Sequence, residues 1–201
     1  FWGQSLRAAD ASHSEQIKWG NESVFNEEHN TLGLFSGVLG GQIVLAGGTS
    51  DDYSRWGRNA VCLSENAGFA LYEDVLSKPL AYGASITLSD GILCIGGRDS
   101  SQCYEDVFFV TMQQGKLNVS EDWPPLPFPL SNAAGALLDN KVYLFGGRKS
   151  VSPSRLSDSF FVLDLSNKSR GWKELPGYPG CVREDAILVV RSEEHTSELQ
   201  S

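Results

Sequence analysis

Two adjacent glycines at the end of a short apolar run recur three times in the sequence. The pairs are Gly47-Gly48, Gly96-Gly97 and Gly146-Gly147. The apolar runs before them span 43–46, 92–95 and 142–145, and each run follows a turn signal rich in Gly, Asn, Asp or Ser. A period of about fifty residues restricts the chain to an array of similar supersecondary units.

Each unit carries the pattern of four β-strands. Small-residue segments precede the apolar runs at 34–38, 81–85 and 132–136. Third strands are predicted at 106–112 and 158–164, and more weakly at 60–63. A fourth strand is clearest at 172–176, with 69–72 as its counterpart in the first unit. Four antiparallel strands per unit are the composition of a propeller blade, so an all-β, β-propeller fold is predicted.

The unit boundaries follow from this pattern. Blades are predicted at 33–78, 79–128 and 129–178, and residues 179–190 are expected to begin another, with a strand at 186–190. Residues 1–32 are poorly defined and leave open the end of a preceding blade. About three blades and a fraction, of an expected six, do not close a ring. The chain is therefore expected to be a propeller fragment that self-associates through its open blade edges.

The C-terminal residues 191–201 resemble the codon-by-codon translation of a sequencing-library adapter. They follow the predicted strand abruptly and have no apolar period. This tail is expected to lie outside the fold, and a natural charged terminus is the alternative. Without the tail, the remaining histidines are His13 and His29, so a histidine-dependent catalytic site is not expected.

Charge and cysteine spacing exclude several classes of function. The formal net charge is −9 and there is no basic stripe, which argues against a nucleic-acid partner. No apolar run is long enough for a helix to span a membrane. The cysteines lack the C-x-x-C spacing of zinc or redox sites, so no metal site is predicted. A disulfide between Cys94 and Cys103 is left open. The chain opens at Phe1 without a signal sequence, and the true N-terminus is expected to lie upstream.

The double glycines, together with Trp-x-x-Leu-Pro at 172–176, resemble the kelch repeat. Segments 34–48 and 78–97 further resemble bacterial sialic acid mutarotases, the N-acetylneuraminate epimerases. Segments 131–147 and 172–185 follow them here and resemble the beginning of that family. This order is similar to the cyclically permuted mutarotase family, and the resemblance covers roughly 33–190.

The resemblance implies an isomerase that interconverts the anomers of N-acetylneuraminate without a cofactor or metal. It implies a periplasmic or extracytoplasmic location if the protein is bacterial. The family's catalytic glutamate and arginine are expected beyond Val190, so the fragment itself is expected to be inactive. The alternative is a non-catalytic kelch propeller that binds a protein partner, because propellers host both roles.

An anionic sugar acid calls for arginines, whose planar forks bind carboxylates with two hydrogen bonds. Arg98 and Arg148 directly follow two of the double glycines, where loops of successive blades emerge at one end of the channel. They are predicted to face one opening and to form an anion-binding rim. The remaining candidates for substrate binding are Asp99, Arg155, Arg183 and Trp56.

Structural roles compete with these assignments. Propeller arginines often pair with acidic residues of an adjoining blade, and the acidic residues available are Glu105, Asp106 and Asp158. Tyr82 and Phe35 are predicted to pack between blades rather than to touch a sugar.

Overall fold

A computed structural model describes residues 32–64, 68–177, 180 and 182–190. The first sheet consists of β1 (Phe35–Leu39), β2 (Gln42–Ala46), β3 (Ala60–Ser64) and β4 (Gly68–Tyr72). The second consists of β5 (Ala84–Thr87), β6 (Ile92–Ile95), β7 (Val107–Gln113) and β8 (Lys116–Ser120). In both sheets the strands pair antiparallel in chain order.

The third sheet has four strands, and a separate two-stranded hairpin is inserted in the chain between its second and third strands. Its strands are β9 (Ala134–Leu138) and β10 (Lys141–Phe145), then β13 (Phe160–Asp164) and β14 (Lys173–Leu175). The hairpin of β11 (Arg148–Ser150) and β12 (Arg155–Leu156) lies between β10 and β13, and a 3₁₀ helix (Leu165–Arg170) follows β13. The three sheets confirm the predicted all-β fold built from four-stranded antiparallel propeller blades.

The middle sheet is buried on both faces, because successive side chains of a strand point to opposite sides. On β6, Ile92 and Cys94 pack in the layer shared with the first sheet. Leu93 and Ile95 pack in the layer shared with the third sheet. The outer sheets are buried on one face each by these layers, so blade contacts hold the array together through the hydrophobic effect.

The double glycines are required by a close approach of the next blade. Gly96 has φ of +63°, and a Cβ added to it would lie 2.2 Å from the Leu130 carbonyl oxygen. The Gly97 amide donates to that same carbonyl at 2.8 Å. The equivalent carbonyls for the other two pairs belong to Leu80 and Arg183. Only glycine combines a positive φ with this absence of a side chain.

One expectation is not met, and one alternative that the sequence left open is resolved. Residues 186–190 form no strand and pair with none of the described strands, and Ile187 is 89% exposed. The first strand of a blade forms its hydrogen bonds with the next strand of the same blade. For residues 186–190, that next strand does not lie in the described part of the chain. Cys94 and Cys103 are both free and buried, because Cys94 faces the first layer while Cys103 contacts Ser131.

Candidate functional site

One backbone position recurs from blade to blade and is linked to its counterpart by a hydrogen bond. The Tyr82 amide donates to the Gly33 carbonyl at 2.7 Å, and the Asn132 amide donates to the Tyr82 carbonyl at 2.7 Å. The Asp185 amide donates to the Asn132 carbonyl at 3.0 Å. All four residues have positive φ. We call them the inner-turn residues; their hydrogen bonds link blade to blade and bring their side chains to one end of the array.

The guanidinium of Arg98 lies against two aromatic rings at this end. Its Cζ atom is 5.0 Å from the centroid of the Trp56 ring and 4.7 Å from that of Tyr82. The two ring centroids are 6.4 Å apart with planes inclined at 59°. Trp56 is itself held by a 3.1 Å hydrogen bond from its Nε1 to the Tyr53 carbonyl. Cation–π attraction therefore fixes Arg98 in the corner between the rings.

Tyr82 is a neutral hydrogen-bonding group in this cluster. Burial raises the pKa of Tyr82 to about 12, and a hydrogen bond with the Tyr53 side chain adds to the shift. The positive charge of Arg98 acts in the opposite direction but does not cancel it. The phenol therefore keeps its proton throughout the physiological range, and it can donate a hydrogen bond but cannot act as a base there.

Arg98 has an unused hydrogen-bonding edge. Its Nη1 donates to the Asp99 carbonyl at 3.4 Å, whereas its Nε is buried and has no hydrogen-bond partner. Arg98 takes part in none of the ion pairs found among the described residues. A buried donor without a partner is costly, so this edge is suited to an acceptor from outside the chain.

Asp99, a predicted binding residue, is occupied by its own loop. One carboxylate oxygen accepts hydrogen bonds from the Ser101 amide, the Ser101 hydroxyl and the Gln102 amide at 2.7–2.9 Å. The other accepts from the Tyr104 hydroxyl at 2.6 Å. Burial would raise the pKa of Asp99, but these hydrogen bonds prevail and lower it to about 2. The residue shapes the loop that begins at Arg98.

Arg148, the repeat counterpart of Arg98, is held by a carboxylate. Its Nε and Nη2 donate to the two oxygens of Glu184 at 2.8 and 2.7 Å. The Arg148 hydrogen bonds lower the pKa of Glu184, and they raise the pKa of Arg148 in turn. Beside this pair, the Asn132 side-chain amide donates to Asp185 at 2.8 Å. Arg148 thus has a structural role, because it pairs with an acidic residue of the adjoining blade.

The other predicted residues do not join this cluster. Arg155 is exposed on β12, away from the glycine-proximal end of its loop. Arg183 contributes its backbone carbonyl to Gly147, and its side chain borders a pocket of about 510 Å³ on the outer side of the third sheet, with Phe145 and Phe160. Asp106, named as a partner for arginines, pairs with Lys78 at 2.9 Å instead.

Three participants were not assigned to the site from the sequence. Tyr53 lies in the irregular loop after Gly48, and Glu184 lies in the fourth repeat unit. Tyr82 packs against the neighbouring blade at Gly33 as predicted, and it also lines the site. The spacing of Gly33, Tyr82 and Asn132 matches that of the double glycines and is the signal that marks Tyr82. Phe35 is buried between blades as predicted, 1% exposed and 5.2 Å from Phe108.

Among the described residues, no three side chains of the His, Cys, Asp or Glu type cluster closely enough to hold a metal ion. Within the same residues, no helix has the length and hydrophobicity that crossing a membrane requires.

The three sheets and their glycine pairs define an array of β-propeller blades. The family model of the kelch motif matches residues 129–176. A solved structure, that of YjhT, superimposes with a TM-score of 0.63 at 11% sequence identity, covering 77% of this chain and 58% of that one. At this identity the likeness concerns the fold.

Three named proteins are similar in sequence to parts of this chain. The chain is 32% identical over 71 residues to an N-acetylneuraminate epimerase of Yersinia pestis (strain Pestoides F), covering 35% of this chain. It is 31% identical over 87 residues to one of Vibrio cholerae serotype O1, covering 43% of this chain. A kelch domain-containing protein of Vibrio cholerae is 33% identical over 67 residues, 33% of this chain. The matches span 16%, 21% and 17% of the lengths of these relatives.

Proposed function

We propose that the protein containing this chain is a kelch propeller that interconverts the anomers of a sugar acid of the N-acetylneuraminate type. The observation that carries the proposal is the guanidinium of Arg98, which lies against Trp56 and Tyr82 and has no ion-pair partner among the described residues. The named epimerases to which the chain is similar supply the choice of substrate.

The contribution of these residues is binding. A sugar acid carries a carboxylate, which an arginine fork complements in charge and geometry. The apolar face of a pyranose ring can pack on Trp56 or Tyr82, and the partly exposed Tyr53 adds a hydroxyl at the edge of the cluster. The carboxylate and the ring would then be held at one end of the channel, where loops from other blades can reach them.

Anomer exchange itself needs two proton transfers. One group removes the proton of the anomeric hydroxyl and another protonates the ring oxygen, so that the ring opens and recloses on the other face. Tyr82 is not the base, because its phenol stays protonated. We assign these transfers to the glutamate and arginine that the family resemblance places beyond Val190.

The test is anomer exchange of freshly released α-N-acetylneuraminate, followed by proton NMR with the protein that contains this chain. Exchange faster than the spontaneous rate is expected. Arg98→Ala is expected to raise KM by about tenfold or more with a smaller change in kcat, since the lost interaction is a binding one. Arg155→Ala, which removes an exposed arginine outside the cluster, serves as the control and should behave as wild type. No acceleration above the spontaneous rate would refute the enzyme and leave the non-catalytic binding module.

A further inference from the structure

Arg98 and Arg148 occupy the same position of successive blades but have different partners. Each follows its double glycine, and each pairs through its backbone with the residue that precedes an inner-turn residue, Ala81 for Arg98 and Ser131 for Arg148. In the next blade, the residue at that same position is Ser131 for Arg98 and Glu184 for Arg148. The repeat therefore offers an internal comparison between two arginines in one backbone setting.

The comparison shows what one side chain changes. Glu184 places its carboxylate on the Nε and Nη2 edge of Arg148. Ser131 is 1% exposed, and its hydroxyl contacts the Cys103 sulfur at 3.4 Å. A serine hydroxyl cannot span the distance that a glutamate covers. Arg98 consequently keeps a buried Nε without a partner at the place where Arg148 is satisfied.

We propose that the Nε and Nη2 edge of Arg98 is a fork for a carboxylate from solution, which binds as Glu184 binds Arg148. The Trp56 and Tyr82 rings hold the guanidinium plane, so the fork is formed before the ligand arrives and little side-chain entropy is lost on binding. This inference rests on the proposed function in one respect, because the proposed function identifies the ligand as a sugar acid. The inference adds which atoms of Arg98 hold the carboxylate of that acid.

Local charges are compatible with an incoming anion. The carboxylate of Glu184 is neutralised by two hydrogen bonds from Arg148. Asp185, which contributes to the field at Tyr82, accepts a hydrogen bond from Asn132. The Asp99 carboxylate is surrounded by donors of its own loop. Each nearby carboxylate is thus held by hydrogen bonds. Arg98, whose charge helps to lower the pKa of Glu184, forms no ion pair among the described residues.

Binding of two matched probes tests the fork in the protein that contains this chain. The probes are N-acetylneuraminate and its methyl ester, which lacks the negative charge, and their affinities are measured by titration calorimetry or ligand-observed NMR. Wild type should prefer the acid by about tenfold or more, because charge-assisted hydrogen bonds are the stronger ones. Arg98→Lys keeps the charge but not the fork, and most of the preference should be lost.

A second pair of variants keeps the test independent of Arg98 itself. Ser131→Glu supplies the carboxylate that the repeat provides at Glu184, and it should fill the fork and abolish the preference for the acid. Ser131→Gln has nearly the same size without the charge, and it should retain more of the preference. Ester affinity, which does not depend on the fork, should be similar in the two variants.

The outcomes separate this inference from the proposed function. Acid preference that survives both Arg98→Lys and Ser131→Glu would overturn the fork even if anomer exchange is accelerated. A wild-type protein with equal affinity for acid and ester, or with none for either, would overturn it as well. Arg98-dependent preference without accelerated exchange would support the fork and refute the enzyme.

Discussion

The ring of Tyr82 covers Gly33, its counterpart in the preceding blade, so closely that no side chain can stand between them. A Cβ added to Gly33 would lie 2.8 Å from Cγ of Tyr82 and 2.9 Å from both Cδ atoms. Gly33 also accepts the hydrogen bond of the Tyr82 amide. One glycine thus sets both the backbone and the ring position of a residue that supports Arg98.

Gly33→Ala is accordingly expected to displace the Tyr82 ring and to weaken acid binding at Arg98. Gly33 has φ of +65°, so the substitution adds backbone strain to the steric conflict. A loss of about 3 kcal/mol in unfolding free energy is expected from the two effects. Thermal or urea denaturation measures the stability, and the acid-to-ester affinity ratio reports on Arg98.

Gly40→Ala provides the matched control. Gly40 has φ of +56°, but a Cβ there would meet nothing within 4 Å. Only the backbone strain remains, about 1 kcal/mol, and ligand affinity should not change. Equal effects of the two substitutions on affinity would show that Tyr82 does not depend on the space above Gly33.

Glu184→Gln should destabilise the protein by about 1 kcal/mol near neutral pH, because it breaks a partly buried two-bond ion pair. The pKa of Glu184 is lower in the folded chain than in the unfolded one. Its contribution to stability is therefore present above a pH of about 4.3 and is lost as the pH falls through the lower folded value. Melting temperatures of wild type and variant should converge as the pH falls below the ordinary glutamate pKa of about 4.3 and through the lower folded value. A constant difference across the acid range would contradict this role.

Asp99→Ala should loosen the loop that begins at Arg98 and cost about 2 kcal/mol, since the carboxylate accepts four hydrogen bonds. The pKa of Asp99 is lowered to about 2, so its stabilisation is present above a pH of about 3.9 and is lost towards pH 2. Cys103, which is 6% exposed at the end of this loop, should react faster with a thiol reagent. Mass-mapped alkylation measures that rate.

Asp99→Asn is the graded control for the loop. Its amide oxygen can still accept from Ser101 and Gln102, while the bond from Tyr104 is altered. Alkylation of Cys103 should then be intermediate between wild type and Asp99→Ala. If both variants leave the rate unchanged, the loop is not held by Asp99.

The repeat made most of the fold predictable from the sequence. The difference between the partners of Arg98 and Arg148 was not predictable in this way. The apolar runs before Gly47, Gly96 and Gly146 predict the positions of the second strands, because an apolar run that ends in a glycine pair is a local signal in the sequence. The different states of Arg98 and Arg148 depend on Ser131 and Glu184, which belong to the following unit in each case. Their apposition arises from blade packing, which no single segment of the sequence contains.

Two other features, Tyr53 and the strand β8 (Lys116–Ser120), were difficult to predict from the sequence. Tyr53 approaches Tyr82 from an irregular loop whose course follows from turns and not from the repeat. β8 is an outer strand with alternating exposed and half-buried residues, and its polar composition gives it a weak strand signal. It forms because β7 offers a free edge after a Gly-containing turn.

Tyr82→Phe separates the ring from the hydroxyl in the support of Arg98. The phenylalanine ring keeps its packing over Gly33 and its contact with the guanidinium, so most of the acid preference should remain. Tyr82→Ala removes the ring, and the preference for the acid should fall by several-fold, since a guanidinium without this support must be ordered when the ligand binds.

Because the folded pKa of Tyr82 is raised to about 12, the wild type should lose stability as the pH rises above about 10, where the unfolded phenol ionises. The phenylalanine variant should lack this part of the alkaline transition, and ultraviolet titration of the tyrosines should lack one group that ionises near pH 12. Acid preference abolished equally by phenylalanine and alanine would assign the support to the hydroxyl and contradict the role of the ring.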